Sequence, residues 1–314
     1  MRVILAGGSG LVGRSLARRL AERGREVVIL TRNPTIRSDD PKVRYVAWDG
    51  QTSNGWGQLA DGAEAIINLA GETIGGRNLA EIFLQRWTRS KKARILESRT
   101  GAGRAIVEAV RKAGTKPGTM IQMSAVGYYG PSPVRDLDEG APSGPDFLAS
   151  VCRDWESSTA EVEAQGVRRL VVRTGLVLST KGGLFPVIML PFRLFVGGRL
   201  GTGDQGFSWI HAQDQTRALE FLLDHKEVRG TFNLTAPNPV SNTDLGRHLA
   251  KAMRRPFWFP TPAFLLRLGL GQKATLVLDG QFVAPRGLLD AGFEFRFPRL
   301  DGALRDLLSI RGGE

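Results

Sequence analysis

Cysteine is nearly missing from this chain: Cys152 is the only one among 314 residues. That excludes an internal disulfide and a cysteine-rich metal site. Histidine is almost as scarce, with three residues, and no His, Asp and Glu spacing matches a metal-binding pattern. Long apolar runs are missing too. The most apolar late stretch, 185–196, carries Pro186, Pro191 and Arg193 and is too short to span a bilayer. The opening apolar run, 2–6, is shorter than the core of a signal peptide, so a cytoplasmic protein with no membrane partner is expected. Acidic residues are in the minority, 31 against 43 lysines and arginines, for a net charge of +12. Basic residues cluster at 86–112, but on a helical pattern, without interleaved aromatics or zinc-finger spacing. We read a solvated basic surface that draws in anionic small molecules, with no nucleic acid as partner.

What is present is an alternation. Short β-branched runs at 2–6, 26–30, 43–47, 65–69, 119–123 and 169–173 read as strands. Between them, 11–23, 78–112 and 147–165 carry apolar residues at helical spacing. Strand–helix alternation of this length predicts right-handed crossovers and an α/β fold with a doubly wound parallel sheet. Its ligand crevice lies beyond the carboxyl ends of the strands. After about residue 175 glycines multiply and strands become sparse, and a capped helix is expected over 241–254. We expect a Rossmann domain over 1–236, with insertions at about 176–206 on the substrate side, and a small C-terminal lobe over 237–314.

Gly7-Gly8-Ser9-Gly10-Leu11-Val12-Gly13 lies between the first strand and the first helix. Glycines at 7, 10 and 13 permit a tight turn, a close approach to a pyrophosphate and close helix–strand packing, and the helix start holds phosphate. Where an NAD site places Asp or Glu after the second strand, this chain has Thr31-Arg32-Asn33. Arg32 can pair with a 2′-phosphate, and Thr31 or Asn33 can add hydrogen bonds, so the cofactor read here is NADP (NADPH). Asp49 reads equally as an acceptor for the adenine amine and as an Asp-Gly turn. Leu69, Ala70 and Gly71 end the fourth strand, where small residues let a cofactor lie on backbone.

The glycine spacing resembles that of the extended short-chain dehydrogenase/reductases, as do Asn68-Leu69-Ala70-Gly71, Ser124 through Gly130 and Trp209 through Asp214. With Cys152, Trp155, Glu156 and the C-terminal portion added, the chain resembles the atypical epimerase-like subfamily, labelled SulA-like nucleoside-diphosphate-sugar epimerase. The resemblance implies an extended-type Rossmann fold, NADP, and hydride chemistry on a carbonyl or nucleotide-sugar-like small molecule, expected to be anionic. It also implies a monomer or homodimer.

Typical members use tyrosine with lysine four residues later, the lysine lowering the phenol's pKa. Only three tyrosines exist, and the residues four beyond them are Asp49, Ser132 and Pro133. The usual pair is absent from this sequence. Ser124 matches the family's serine and is a candidate to bind the reacting oxygen. Tyr128 and Tyr129 are candidates for the proton, one of them expected to pack away from the crevice. Glu72 is a further polar candidate, and Cys152 is read as packing in a helix. An alternative is an NADP-binding regulatory or scaffold protein, division-related, in which catalysis is weak or lost.

Overall fold

The computed structural model describes residues 1–33, 35, 38–76, 81 and 85–309. Its centre is a seven-stranded, wholly parallel sheet. The strands are β1 (Arg2–Ala6), β2 (Glu26–Thr31), β3 (Val43–Ala47), β4 (Ala65–Asn68), β5 (Thr119–Ala125), β6 (Arg168–Thr174) and β7 (Gly230–Leu234). They lie in the order β7-β6-β5-β4-β1-β2-β3. The chain therefore starts in the middle, winds outward to β3, then reverses through β4 to β7. The reversal between β1 and β4 opens a crevice at their carboxyl ends, where ligands bind in such sheets.

Both faces of the sheet are covered, which is why its strands are apolar on both sides. One core takes Leu5, Ile29, Ile67 and Leu170 against the helix α1 (Leu11–Glu22) and a later helix over Ala212–Asp224. The other takes Ile4, Val28, Ile66 and Met120 against α2 (Arg89–Lys112). The helix expected over 78–112 begins only at Arg89, because Thr88 caps it by accepting from the Lys91 amide. Its expected first part falls largely outside the described residues. The helix expected over 147–165 is broken. α3 (Phe147–Ser157) stops short and a single turn, Glu161–Ala164, follows.

The C-terminal lobe gathers distant segments. α4 (Phe185–Arg193), α6 (Asn242–Met253), α7 (Ala263–Leu270) and α8 (Leu300–Ser309) contribute to it, while α5 (Ala212–Asp224) is the later helix that covers the sheet. Phe185, Met189, Trp209, Leu249, Leu300 and Leu304 share one apolar core. Ser241 caps α6 as its sequence pattern suggested, accepting from the Asp244 amide. α7 is different: none of its residues is buried.

Candidate functional site

The turn after β1 requires its glycines for separate reasons. Gly7 has φ +74°, and a Cβ there would lie 2.7 Å from the Ala70 Cα. Gly13 lets α1 sit on the turn, since its Cβ would approach the Gly8 carbonyl oxygen to 2.3 Å. Gly10 needs neither explanation. Its φ is −77°, and a Cβ on it would meet no protein atom within 4 Å. It faces a cleft of about 450 Å³ lined by Gly7, Ser9, Thr31, Arg32, Asp49 and Gly71 among others. Gly10 also offers no side chain to cap α1, so the first-turn amides remain free to donate to an anion. Gly10 is thus a backbone cradle that a side chain would fill, which fits a bound dinucleotide.

The remaining loop residues divide. Leu11 lies against Gly183, Val12 packs on the first core, and Gly13 is buried, so these three shape the turn from behind. On the rim, Arg32 is exposed and forms no ion pair among the described residues. Thr31 is buried, and its hydroxyl accepts from the Asn33 amide. Asp49 forms the turn that was one of its two readings: its oxygens accept from the amides of Gln51 and Thr52 and from the Thr52 hydroxyl. Slight burial pushes its pKa up, but these hydrogen bonds overcome that and hold the acid below its ordinary range. It still lines the cleft beside Trp48. Leu69, Ala70 and Gly71 line the opposite wall, where buried Asn68 fixes the turn by accepting from the Ala70 amide.

Ser124 and Tyr129 are placed otherwise than the sequence suggested. Neither hydroxyl opens on the cleft; both enter one polar network behind it. The Ser124 hydroxyl, 1% exposed as a residue, donates to Glu156 at 2.6 Å. Arg173 grips both oxygens of Glu156, at 2.9 and 3.0 Å, and donates to the Tyr129 hydroxyl at 3.1 Å. That phenol in turn donates to Asn233 at 2.7 Å. Burial raises the Tyr129 pKa despite Arg173. Tyr128 is the partly exposed partner, its ring 3.3 Å from the Arg173 guanidinium carbon. The two tyrosines lie on a single 3-10 turn, Val126–Tyr129, rather than on the extended segment that was expected to point them apart, and Tyr129 is the one that packs away.

α3 contains neither tyrosine nor lysine; the two registers in which the pair could be sought put Leu148 and Cys152, or Phe147 and Val151, in its places. Cys152 is buried, and burial pushes its thiol up to about 11, so it is inert packing. Positive charge reaches this place from α2 instead. Lys91 contacts Glu72 at 2.5 Å. Burial raises the Glu72 pKa, but the Lys91 hydrogen bond and charge overcome that and keep it low. Arg99, 6% exposed, stacks over Trp155 and makes both its hydrogen bonds through Nη1, to the Glu72 and Ile95 carbonyls. Its buried Nε has no acceptor, and burial pulls its pKa down to about 10. Gly71 makes room for it, since a Cβ there would lie 3.0 Å from the guanidinium carbon.

Sequence reasoning missed Glu156 as a partner, Arg173, Lys91 and Arg99. One signal was available for Arg173 alone: an arginine inside an apolar strand must find a carboxylate. His211 and Asp214 sit at the junction with the C-terminal lobe. His211 is 3.3 Å from Asp306, and Asp214 accepts the amides of Arg296 and Phe297. Among the described residues no cluster could hold a metal ion.

The parallel sheet, reversed strand order and glycine cradle define a Rossmann-like, nucleotide-binding fold of the extended short-chain dehydrogenase/reductase type. Residues 3–235 match the NAD dependent epimerase/dehydratase family, and residues 261–307 match a domain of unknown function, DUF1731. The chain belongs to this epimerase family. It is 35% identical to the epimerase family protein YfhF of Bacillus subtilis over 99% of both chains. It is 37% identical to the epimerase family protein SH2119 of Staphylococcus haemolyticus over 97% of this chain and 98% of the other. The human epimerase family protein SDR39U1, solved with NADPH, superposes with a TM-score of 0.85 at 32% identity, over 98% of this chain and 99% of that one.

Proposed function

We propose that this protein is an NADP-dependent oxidoreductase or epimerase acting on a small, anionic carbonyl or nucleotide-sugar-like substrate. Arg32 carries the reading: an exposed guanidinium, without an ion pair among the described residues, on the rim of the glycine cleft, where an NAD site has a carboxylate. A guanidinium can give a 2′-phosphate two parallel N–H donors. The human relative solved with NADPH supports the choice.

In this reading Ser9, Gly10 and the first-turn amides of α1 hold the pyrophosphate, with Arg32 and Thr31 at the 2′-phosphate. Asp49 and Leu69, Ala70 and Gly71 form the remaining walls. The nicotinamide, when bound, donates or accepts hydride. Tyr128 holds and releases the proton at its Oη, from a ring fixed by Arg173. Ser124 positions that segment through Glu156 and does not touch substrate. Glu72, kept ionised by Lys91, serves as an acceptor at the cleft.

The test is a titration with NADPH and NADH, followed by turnover on a carbonyl panel. Arg32→Glu should weaken NADPH binding by about tenfold or more while leaving NADH nearly unchanged. Equal losses for both would remove the 2′-phosphate assignment. Turnover should fall at least about a hundredfold in Tyr128→Phe. If wild type binds NADPH yet turns over nothing, the regulatory or scaffold reading replaces the enzymatic one. The commitment of Ser124 and Tyr129 to the buried network is the observation that favours that second reading.

A further inference from the structure

Among the described residues eleven large apolar side chains stand exposed, and eight of them belong to two touching segments of the C-terminal lobe. Leu194, Phe195 and Val196 follow α4; Trp258 and Phe259 precede α7; Phe264, Leu265 and Leu268 lie on α7. The segments are joined directly. The Trp258 indole donates to the Phe195 carbonyl at 2.8 Å, and the Trp258 and Phe259 amides both donate to the Gly197 carbonyl. Leu268 is 73% exposed and Trp258 65%. α7 is apolar apart from Arg267 and contains no buried residue, and a helix of that kind is normally covered by something.

The charge along these segments is mostly of one sign, with carboxylates only at their borders: Asp279 lines a small cleft with Arg267, and Asp244 lies 3.7 Å from Arg247. The chain contains 31 acidic residues, but none lies in 185–203 or 245–278. Arg199, Lys251, Arg254, Arg255 and Arg267 are exposed there, and none forms an ion pair among the described residues. A second copy seated by a twofold axis would set these cations against their own images, which disfavours self-association here. A peptide or helix partner would need a groove. Two clefts on this lobe, about 310 and 800 Å³, are lined by Arg267, Leu278 and Asp279 and by Arg247, Lys251 and Leu304 among others, and neither takes any of the eight apolar side chains. Exposed Trp, Phe and Leu mixed with unpaired arginines is the composition of a surface that lies in a lipid interface.

We propose that this face docks on an anionic lipid bilayer. Trp258, Phe264, Leu265 and Leu268 enter the headgroup boundary and the arginines meet lipid phosphates. Among the described residues no helix is long and apolar enough to cross a membrane, and a face that rests on the bilayer needs none. This departs from the expectation of no membrane partner, which rested on the lack of a spanning segment.

The experiment is flotation of the full chain with vesicles of phosphatidylcholine alone or with phosphatidylglycerol added. Binding is expected only to the anionic vesicles and should weaken as salt is raised. The double substitutions Phe264→Ser/Leu268→Ser and Arg254→Glu/Arg255→Glu should each lower binding about tenfold or more. All these side chains are exposed, and unchanged NADPH affinity and melting temperature would show that the variants remain folded. Failure to float with anionic vesicles overturns the proposal, as does binding that both double variants retain. A concentration-dependent dimer that Phe264→Ser/Leu268→Ser abolishes, without vesicle binding, would assign the face to a second copy instead.

Discussion

Arg173 is a buried charged residue near the carboxyl end of a packed strand, flanked on β6 by Val172 and Thr174. Its position is tenable because every direction it points meets a partner: Glu156 across the sheet face, the Tyr129 hydroxyl, and the Tyr128 ring. Removing one member of a buried ion pair costs more than the pair contributes, because the other charge remains. Arg173→Met should therefore destabilise the fold by about 3–5 kcal/mol in a denaturant titration. Replacing both partners, Arg173→Met with Glu156→Leu, should recover much of that loss, and a double variant no better than the single one would refute the argument. This network was only partly legible. Ser124, Tyr128 and Tyr129 announce themselves as polar groups at a strand end. The carboxylate that claims the serine stands 32 positions later on another helix. Which face of β5 it covers depends on how α3 packs, and α3's own sequence does not encode that.

At the scale of the elements, the glycine turn offers a clean separation of fold from ligand. Gly13→Ala would place a methyl group against the Gly8 backbone, which cannot yield as a flexible side chain could. It should lower stability by about 1–3 kcal/mol and weaken cofactor binding along with it. Gly10→Ala meets no protein atom and keeps an ordinary φ. It should leave the melting temperature nearly unchanged while weakening NADPH binding by about tenfold or more. Calorimetric melting beside fluorescence titration reads both effects. If Gly10→Ala destabilised the fold as much as Gly13→Ala, the space before Gly10 would not be a ligand cradle. Strands β1 to β6 and α1 were readable because their apolar runs and turn signals agree. β7 was not, since Gly230-Thr231-Phe232-Asn233-Leu234 opens on glycine and interrupts its apolar residues with Thr231 and Asn233, leaving no apolar run to read. Asn233 is buried there for the network, not for the strand. α2 was drawn too long because the basic helical pattern of 86–112 continues the apolar one before it. The actual start depends on Thr88 accepting the Lys91 amide, beside a Trp87 indole that donates to the Ile74 carbonyl.

For the molecule as a whole, the period of the apolar residues reveals the sheet but not how the C-terminal lobe is fastened to it. The lobe's core joins residues from 178 to 209 with others near 245 and 300, too far apart in sequence for any local pattern to connect. One fully buried carboxylate does much of the fastening. Asp214, at the start of α5, accepts the Arg296 amide at 3.0 Å through one oxygen and the Phe297 amide at 2.8 Å through the other, and Arg217 neutralises it at 2.8 Å. An asparagine has one acceptor oxygen and an NH2 group that would confront the remaining amide. Asp214→Asn should therefore cost about 1–3 kcal/mol, the penalty of an unsatisfied buried donor. The cost should be uneven. Amide exchange at Arg296 and Phe297 should accelerate while the strands beneath the glycine cleft stay protected and NADPH affinity is retained. That outcome would mean the lobe can loosen without dismantling the nucleotide site. If exchange instead quickened equally in β1 and β4, sheet and lobe would open as one cooperative unit, and the Asp214 anchor would be part of the cofactor site's own stability.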